Sequence, residues 1–198
     1  MSSSLALRKS LVTPVFAIGT NGEFGYRNKL PWPRLSKDLE HFWNTIRSNG
    51  YHDDKKVVIM GRKTFESLPN RMKPIPGVMN FVISSNNQLD SKYPGIRVFS
   101  DLQSVFNLID YFEASVKIYL IGGCGLIEEF YQYHSDRCLL SIITEIEGDF
   151  KSDVFFNTEY IKDMKLLLSK GSYEDNGIKY SICYYIYPEK PTLIKMTL

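Results

Sequence analysis

The sequence has little cysteine and no long apolar run, and both absences limit what the protein can be. Its three cysteines show no CxxC or zinc spacing, and an odd number argues against a disulfide framework. No apolar stretch approaches the roughly 20 residues that a membrane span needs. The opening MSSSLALRKS lacks the apolar core of a signal peptide. We therefore expect a cytoplasmic protein without a membrane partner or a bound metal.

The chain also lacks a Pro/Gly/Ser-rich linker, an internal repeat and a low-complexity segment. With 198 residues, of which 43% are hydrophobic, it has enough apolar side chains for one substantial core. We predict a monomer with a single domain over residues 13–187, a flexible N-terminus at 1–12 and a C-terminal tail at 188–198.

The net charge of +2 conceals an asymmetry between the two halves of the chain. Residues 1–100 carry 15 Lys/Arg and 7 Asp/Glu, whereas residues 101–198 carry 9 and 15. The basic charges are scattered, without the dense run or interleaved aromatics of a nucleic-acid-binding surface. This pattern favours a small anionic ligand over nucleic acid, with an ordinary solvated surface as the alternative.

Short apolar runs alternate with helical patterns through the first two thirds of the chain. The runs that predict buried strands are 12–19, 56–60, 79–84, 96–99 and 116–121, and the helical patterns cover 37–47, 63–68, 101–112 and 124–132. Asp101 is the expected N-cap of the third helix. This order predicts a single-domain α/β fold with a mostly parallel central sheet and flanking helices.

The last third of the chain has a different pattern. The segment CLLSIITEI is followed by SYEDNGIKYSICYYIY, in which Asn176-Gly177 is a strong hairpin signal. We expect both segments to add antiparallel strands at one edge of the sheet.

Ligands of such sheets bind beyond the C-terminal ends of the strands, and two strand exits carry suitable residues. In KVVIMGRKTFESLP, Gly61 permits close approach, while Arg62 and Lys63 open a helix and can clamp a phosphate. In KIYLIGGCGLIEEF, Gly122-Gly123 leaves bare backbone that can lie against a flat ring. Neither a P-loop nor GxGxxG is present, so a solvated basic helix start and a plain tight turn remain alternatives.

The stretch LPWPRLSKDLEHFW places a carboxylate beside an apolar helix face. Ser36 predicts the N-cap of a helix that begins near Lys37. The apolar arc consists of Leu35, Leu39, Phe42, Trp43 and Ile46. Asp38 falls roughly 40° beyond Phe42 on this helix. It serves either the positive first turn of the helix or the chemistry of a pocket, and this stretch alone leaves both open.

Taken together and in order, these motifs resemble dihydrofolate reductase over roughly residues 13–187. The segments that carry the resemblance are VFAIGTNGEFGYRNKLPW, VVIMGRKTFESLP, PIPGVMNFVISS, IGG at 121–123, ITEIEGDFKSDVFF and NGIKYSICYY. The six-residue step from Trp32 to Asp38 is similar to the eukaryotic enzymes. The resemblance implies NADPH-dependent reduction of 7,8-dihydrofolate to tetrahydrofolate, small antifolates as inhibitors, and a cis peptide between Gly122 and Gly123.

The resemblance also implies that Asp38 is the acidic group of the substrate pocket, in place of the glutamate usual in eukaryotic enzymes. Burial is expected to raise its pKa. Trp32, which would help to hold a water, and Thr144, which would hydrogen-bond the acid or that water, complete the implied catalytic set. The implied substrate-binding residues are Val15, Ala17, Asp38, Leu39, Phe42, Leu68, Lys73 and Ile121.

On the cofactor side, Arg62, Lys63 and Ser85 resemble the clamp for the 2′-phosphate of NADPH. Thr64 would meet the pyrophosphate. The nicotinamide would be enclosed by Gly25, Ile121, Gly122 and Gly123. The complete implied set is Ala17, Gly25, Arg62, Lys63, Thr64, Ser84, Ser85, Ile121, Gly122, Gly123, Cys124, Gly125 and Leu126.

Some positions depart from the family pattern. The motif PxPGR reads PIPGV, so Val78 stands where an arginine would pair with the glutamate carboxylate of the substrate, and Lys73 is a weaker candidate for that charge. Glu23 and Phe24 replace a small Gly-Ile pair, and Ile127 replaces a tyrosine. Two alternatives stay open: a reductase of the same fold acting on another pterin or a riboflavin-pathway pyrimidine, or a non-catalytic nucleotide-binding protein.

Overall fold

The computed structural model describes residues 9–47, 55–86, 88–113 and 115–188. Within these residues the strands are β1 Thr13–Gly19, β2 Glu23–Gly25, β3 Lys56–Gly61, β4 Met79–Ile83, β5 Ile96–Phe99, β6 Lys117–Leu120, β7 Leu140–Ile146, β8 Val154–Phe155, β9 Lys165–Asp175 and β10 Ile178–Ile186. The α-helices are α1 Ser36–Ile46, α2 Arg62–Ser67, α3 Leu89–Lys92, α4 Leu102–Ile109 and α5 Cys124–His134. Single 3₁₀ turns occupy Asn70–Met72, Ser135–Arg137 and Thr158–Tyr160. Most of the predicted N-terminal segment and of the predicted tail lies outside the described residues.

The central sheet confirms the predicted fold class. Its eight strands lie in the order β5-β4-β3-β6-β1-β7-β10-β9, and the first six are parallel. The hairpin of β9 and β10 adds the antiparallel edge, and Asn176 and Gly177 have the positive φ angles that its turn requires. The prediction that CLLSIITEI forms an antiparallel edge strand was only partly right: β7 pairs antiparallel with β10, but it lies inside the sheet and pairs in parallel with β1.

Apolar side chains pack on both faces of the sheet because the strand residues alternate between them. In β1, Phe16 and Ile18 belong to a cluster that includes residues of α4 and α5. Val15 points to the other face, where a second cluster takes in Ile46 of α1 and Phe65 of α2. Helices therefore cover both faces, as a parallel sheet requires. No helix in the described part of the chain has the length and apolar content needed to cross a membrane.

Two helix starts show how local and distant caps compete. Asp101 caps α4 as predicted, because its carboxylate accepts a hydrogen bond from the Ser104 amide at 2.7 Å. The prediction that Ser36 caps α1 was wrong: Ser36 is the first helical residue, and its amide donates to the carboxylate of Asp175 at 2.7 Å. The first turn of α1 is thus bonded by the β9–β10 hairpin.

A buried ion pair fixes the entry to β1. Two nitrogens of Arg137 donate to the two carboxylate oxygens of Asp110 at 2.7 and 2.8 Å, and the Ser10 amide donates to the same carboxylate at 2.8 Å. Burial alone would raise the pKa of Asp110, but the bonds from Arg137 and Ser10 outweigh it and lower the pKa. The pair therefore stabilises the fold above the ordinary pKa of an aspartate, and that stabilisation is lost as the pH falls through the lowered value.

We expect Arg137→Met to reduce the free energy of unfolding by roughly 3 kcal/mol, because it leaves the Asp110 carboxylate buried without its cation. The double variant Asp110→Asn/Arg137→Met, which removes both charges, should recover most of that loss. Urea denaturation at pH 7 measures both values. A double variant at least as unstable as the single one would show that the buried charge is not the cause.

Candidate active site at the C-terminal edge of the sheet

The centre of the candidate site is a hydrogen bond between α1 and β7. The Thr144 hydroxyl donates to Oδ1 of Asp38 at 2.6 Å. Thr144 is buried and Asp38 is half-buried. Asp38 stands in the first turn of α1, but its side chain is bonded to the sheet and not to the amides of its own helix. The structure thus favours the pocket interpretation of this residue.

Two opposing effects set the pKa of Asp38. Burial raises it, because an ionised carboxylate loses solvation in a low-dielectric site, and the hydrogen bond from Thr144 partly offsets this by stabilising the charged form. The net pKa is raised, as predicted. Among the described residues, only Thr144 hydrogen-bonds this carboxylate. Oδ2 is therefore available to a ligand that presents hydrogen-bond donors.

Trp32 lies beside this pair in a small cluster with Leu35, Ile146 and Tyr180, against which Ala17 packs. Ala17 is the register partner of Thr144 across the β1–β7 ladder. The Trp32 ring is buried, but within the described residues its Nε1 has no hydrogen-bond partner. A buried donor of this kind costs free energy unless it is satisfied, so it marks a position for a water or a ligand acceptor.

The β9–β10 hairpin holds the start of α1 in place. The Tyr180 hydroxyl donates to the Asp175 carboxylate at 2.6 Å, and that carboxylate also accepts from the Ser36 amide. These two bonds lower the pKa of Asp175. The Asn176 amide group donates to the Arg34 carbonyl at 3.1 Å. Sequence reasoning missed this support, because a contact between residues 36 and 175 has no local signature.

The other implied substrate residues extend along one side of the sheet. Val15 and Ile121 are buried in the second cluster, against which Phe42 and Leu68 pack, and Leu39 is half-buried on α1. The Lys73 ammonium donates to the carbonyl of Glu66 at 2.5 Å. The structure thus brings the apolar residues to one face of the sheet. Lys73, the candidate cation for the substrate's glutamate tail, is instead hydrogen-bonded to the end of α2.

The two strand exits that the sequence singled out meet in space. The Gly61 amide donates to the Gly122 carbonyl at 2.8 Å. The Gly122–Gly123 peptide is cis, which confirms that prediction. A Cβ added at Gly122, where φ is +125°, would lie 3.3 Å from Oγ1 of Thr64. Gly122 is buried and Gly123 is half-buried, and neither carries a side chain, so bare backbone forms this junction.

Arg62 and Lys63 lie beside the serines that follow β4. Gly61 and Ile83 are register partners in the β3–β4 ladder, so the next residues of both strands emerge side by side. Arg62, Lys63 and Ser85 are exposed. Ser84 is buried, and its hydroxyl accepts from the Asn86 amide at 3.0 Å. The structure therefore groups two exposed cations with one exposed hydroxyl.

Four of the implied cofactor residues do not contribute a side chain to the junction of Gly61 and Gly122. Cys124 is buried in the first cluster, where burial raises its thiol pKa to about 12, and Leu126 packs against the same cluster. Gly125 is exposed and open to solvent. Gly25 lies in β2, close to Val154 of β8. Within the described residues, no group of three or more metal-ligating side chains converges.

The departure at Glu23 has a clear structural effect. Glu23 is 1% exposed, and its carboxylate accepts from the amide and the side chain of Asn21 at 2.8 and 3.0 Å. Burial would raise its pKa, but these bonds outweigh burial and lower it. A Cβ at Gly19 would collide with this carboxylate. Glu23 therefore fixes the turn between β1 and β2 by satisfying its polar groups internally.

Comparison with known proteins agrees with this geometry. The sequence model of the family described as dihydrofolate reductase matches residues 11–189. Dihydrofolate reductase from Drosophila melanogaster is 30% identical over 172 residues, covering 84% of this chain and 92% of its own length. The enzyme from Aedes albopictus is 28% identical over 187 residues, covering 89% and 96%.

A third relative is longer. The bifunctional dihydrofolate reductase-thymidylate synthase of Paramecium tetraurelia is 34% identical over 172 residues. The match covers 87% of this chain but only 34% of that protein, so the chain spans about a third of the bifunctional relative.

The effect of the Thr144 hydroxyl on the pKa of Asp38 can be measured directly. In Thr144→Val the Asp38 carboxylate loses the bond that favours its charged form, so its pKa should rise above the wild-type value. The ¹³C carboxyl shift of Asp38, followed by NMR as a function of pH, reports the change. Thr144→Ser keeps a hydroxyl and should titrate like the wild type. Identical curves for the Val and Ser variants would contradict this account.

Proposed function

Because the chain belongs to the dihydrofolate reductase family, we propose that it reduces 7,8-dihydrofolate to 5,6,7,8-tetrahydrofolate with NADPH. The reaction adds a hydride to C6 and a proton to N5 of the pterin. The observation that carries the proposal is the Asp38 carboxylate, bonded by Thr144 at 2.6 Å beside an otherwise apolar surface. A pterin presents an amino group and a ring nitrogen in line, which are the donors that such a carboxylate binds.

Asp38 holds the pterin in the reactive tautomer and polarises it. Thr144 occupies Oδ1, so the pterin donors pair with the carboxylate through the remaining acceptor positions. The raised pKa makes Asp38 easier to protonate than an ordinary aspartate, so it serves as a proton reservoir. Direct contact between Asp38 and N5 is not required, since a water carries the proton. The buried Nε1 of Trp32 is a donor that orients this water.

The residues at the joined strand exits fit NADPH. The bare backbone at Gly122 and Gly123 accepts a flat ring, and Thr64 lies beside it. Arg62 and Lys63 supply two cations for the 2′-phosphate. When bound, NADPH supplies the hydride. The chain's own contribution is to hold both reactants at one edge of the sheet, which lowers the entropic part of the barrier.

Val78 keeps a second candidate open, in which a reductase of this fold acts on another pterin or on a riboflavin-pathway pyrimidine. Its side chain packs against the second apolar cluster, where it presents no charge to a glutamate tail. Oxidation of NADPH followed at 340 nm, first with dihydrofolate and then with the alternative substrate, distinguishes the two functions. Binding of NADPH without turnover of either substrate would indicate a non-catalytic protein.

Asp38→Asn should lower turnover at pH 7 by about 10²-fold or more, because the neutral amide cannot sustain the ionised hydrogen-bond pattern. The same change should not lower the thermal midpoint at pH 7. The folded-state pKa is raised, so stability falls as the pH rises from the unfolded pKa through the folded one, and a neutral side chain avoids that loss. Wild-type turnover in a folded variant would remove Asp38 from the mechanism.

Replacing Arg62 and Lys63 with alanine should weaken NADPH by roughly ten- to a hundredfold, while leaving NADH nearly unchanged. Only NADPH carries the 2′-phosphate that these cations are proposed to meet. Dissociation constants for both cofactors, measured by titration calorimetry, give the ratio. Equal weakening of the two cofactors would assign the cations to the shared pyrophosphate instead.

A further inference from the structure

A cleft of about 370 Å³ opens where α1 ends, and its lining differs from that of the pocket around Asp38. Its lining residues are Trp43, Arg47, Pro69, Arg71, Met72 and Pro76. Four of these six are apolar and two are arginines. We call this surface the arginine cleft. A surface that combines a flat aromatic side chain with two guanidinium groups suits a ligand that carries both an aryl ring and carboxylates.

The arginine cleft continues the candidate pocket along α1. Phe42 lies one helical turn beyond Asp38, and its ring contacts that of Trp43 edge-on at 5.0 Å between centroids. Met72, another lining residue, belongs to the apolar cluster against which Phe42 packs. Contiguous side chains therefore lead from the carboxylate of Asp38 to the arginines.

Neither arginine of the cleft has a carboxylate partner among the described residues. Arg47 follows the last residue of α1, with its guanidinium 6.0 Å from the Trp43 ring centroid, and Arg71 lies in the 3₁₀ turn Asn70–Met72. Both are exposed. Within residues 9–47, 55–86, 88–113 and 115–188, neither forms an ion pair with a carboxylate. Two like charges that line one cleft favour an anion between them.

Positions 78 and 73, which the sequence suggested for the cation that pairs with the substrate's glutamate, do not supply a charge to the cleft. Val78 packs against the second apolar cluster, and its carbonyl accepts from the side chain of Asn80. Lys73 does not line the cleft, and its ammonium is bonded to the Glu66 carbonyl. Among the residues that the structure describes, the cations that line the cleft are therefore Arg47 and Arg71.

We propose that Arg47 and Arg71 bind the glutamate carboxylates of dihydrofolate, with the benzoyl ring of the substrate against Trp43. They take over the role that an arginine at position 78 would have had. This assignment rests on the function proposed above and adds to it the two residues that select a substrate with an anionic tail. Because the substrate tail takes no part in hydride or proton transfer, each arginine contributes to substrate affinity and not to the chemical step.

The test compares dihydrofolate with 6-methyl-7,8-dihydropterin, which keeps the pterin but lacks both the benzoyl ring and the glutamate. The chain's two tryptophans are Trp32 beside Asp38 and Trp43 in the cleft, so quenching of intrinsic fluorescence reports binding without turnover. Arg47→Ala and Arg71→Ala should each weaken dihydrofolate about tenfold, and the double variant should weaken it more than either. Binding of the methylpterin should be unchanged, and so should kcat for dihydrofolate.

Arg97→Ala is the matched control. Arg97 is an exposed arginine in β5, and its neighbours Ile96 and Val98 face the second cluster. Arg97 therefore points to the opposite face of the sheet from the arginine cleft. This variant loses the same charge and should bind both ligands like the wild type. Equal weakening of both ligands by the cleft variants, or no weakening of dihydrofolate, would overturn the proposal.

Val78→Arg gives an independent test. If Arg47 and Arg71 already pair with the tail, Val78→Arg in the otherwise wild-type protein should improve dihydrofolate binding by less than about threefold. If the tail were unpaired, the same change should improve binding about tenfold. A tenfold gain in the wild type would overturn the proposal. Turnover of the methylpterin by the wild type tests the reductase function separately, because that substrate has no tail.

Discussion

The hydrogen bond between Asp38 and Thr144 requires that α1 and β7, 106 residues apart in the chain, be held at one separation. The sheet fixes Thr144 from both sides, with Ala17 of β1 and Ile182 of β10 as its register partners. The helix is fixed by its contacts with the second cluster through Ile46 and by the Asp175 carboxylate at its first turn. β10 therefore contributes twice, since Tyr180 within it also orients Asp175.

The parallel strand order accounts for where the remaining residues gather. C-terminal strand ends share one edge of a parallel sheet, so Gly61 at the end of β3 and Gly122 after β6 are brought within one backbone hydrogen bond of each other. β1 lies between β6 and β7, which sets the Gly122 junction on one side of it and Thr144 on the other. Two sites with different chemistry are thus two strands apart in one rigid sheet.

The sequence was sufficient where the signal is local. β5 was predicted to the residue, and Asp101 was predicted correctly as a cap because the amide it binds is three residues away. Ser36 carried the same local signal, but the Asp175 carboxylate satisfies the helix start instead. β7 was predicted as an antiparallel edge strand because its apolar pattern does not encode its neighbours. It pairs antiparallel with β10 but in parallel with β1. The first half of β9 was missed because its three leucines, 166–168, are exposed and show no alternation.

The difference between local signals and contacts of distant residues also applies within the candidate site. Asp38, Thr144 and the glycines could be named because their motifs resemble a known family, whereas Arg47 and Arg71 belong to no motif and become neighbours only through the cleft at the end of α1. The two ends of the pocket also follow different physics. At the closed end, burial raises the pKa of Asp38, and the proposed function assigns the chemical step to this one carboxylate. At the open end, solvent weakens each charge, which is why the proposal assigns the substrate tail to two exposed cations and not to one. Changes at the closed end should therefore appear in kcat, and changes at the open end in KM.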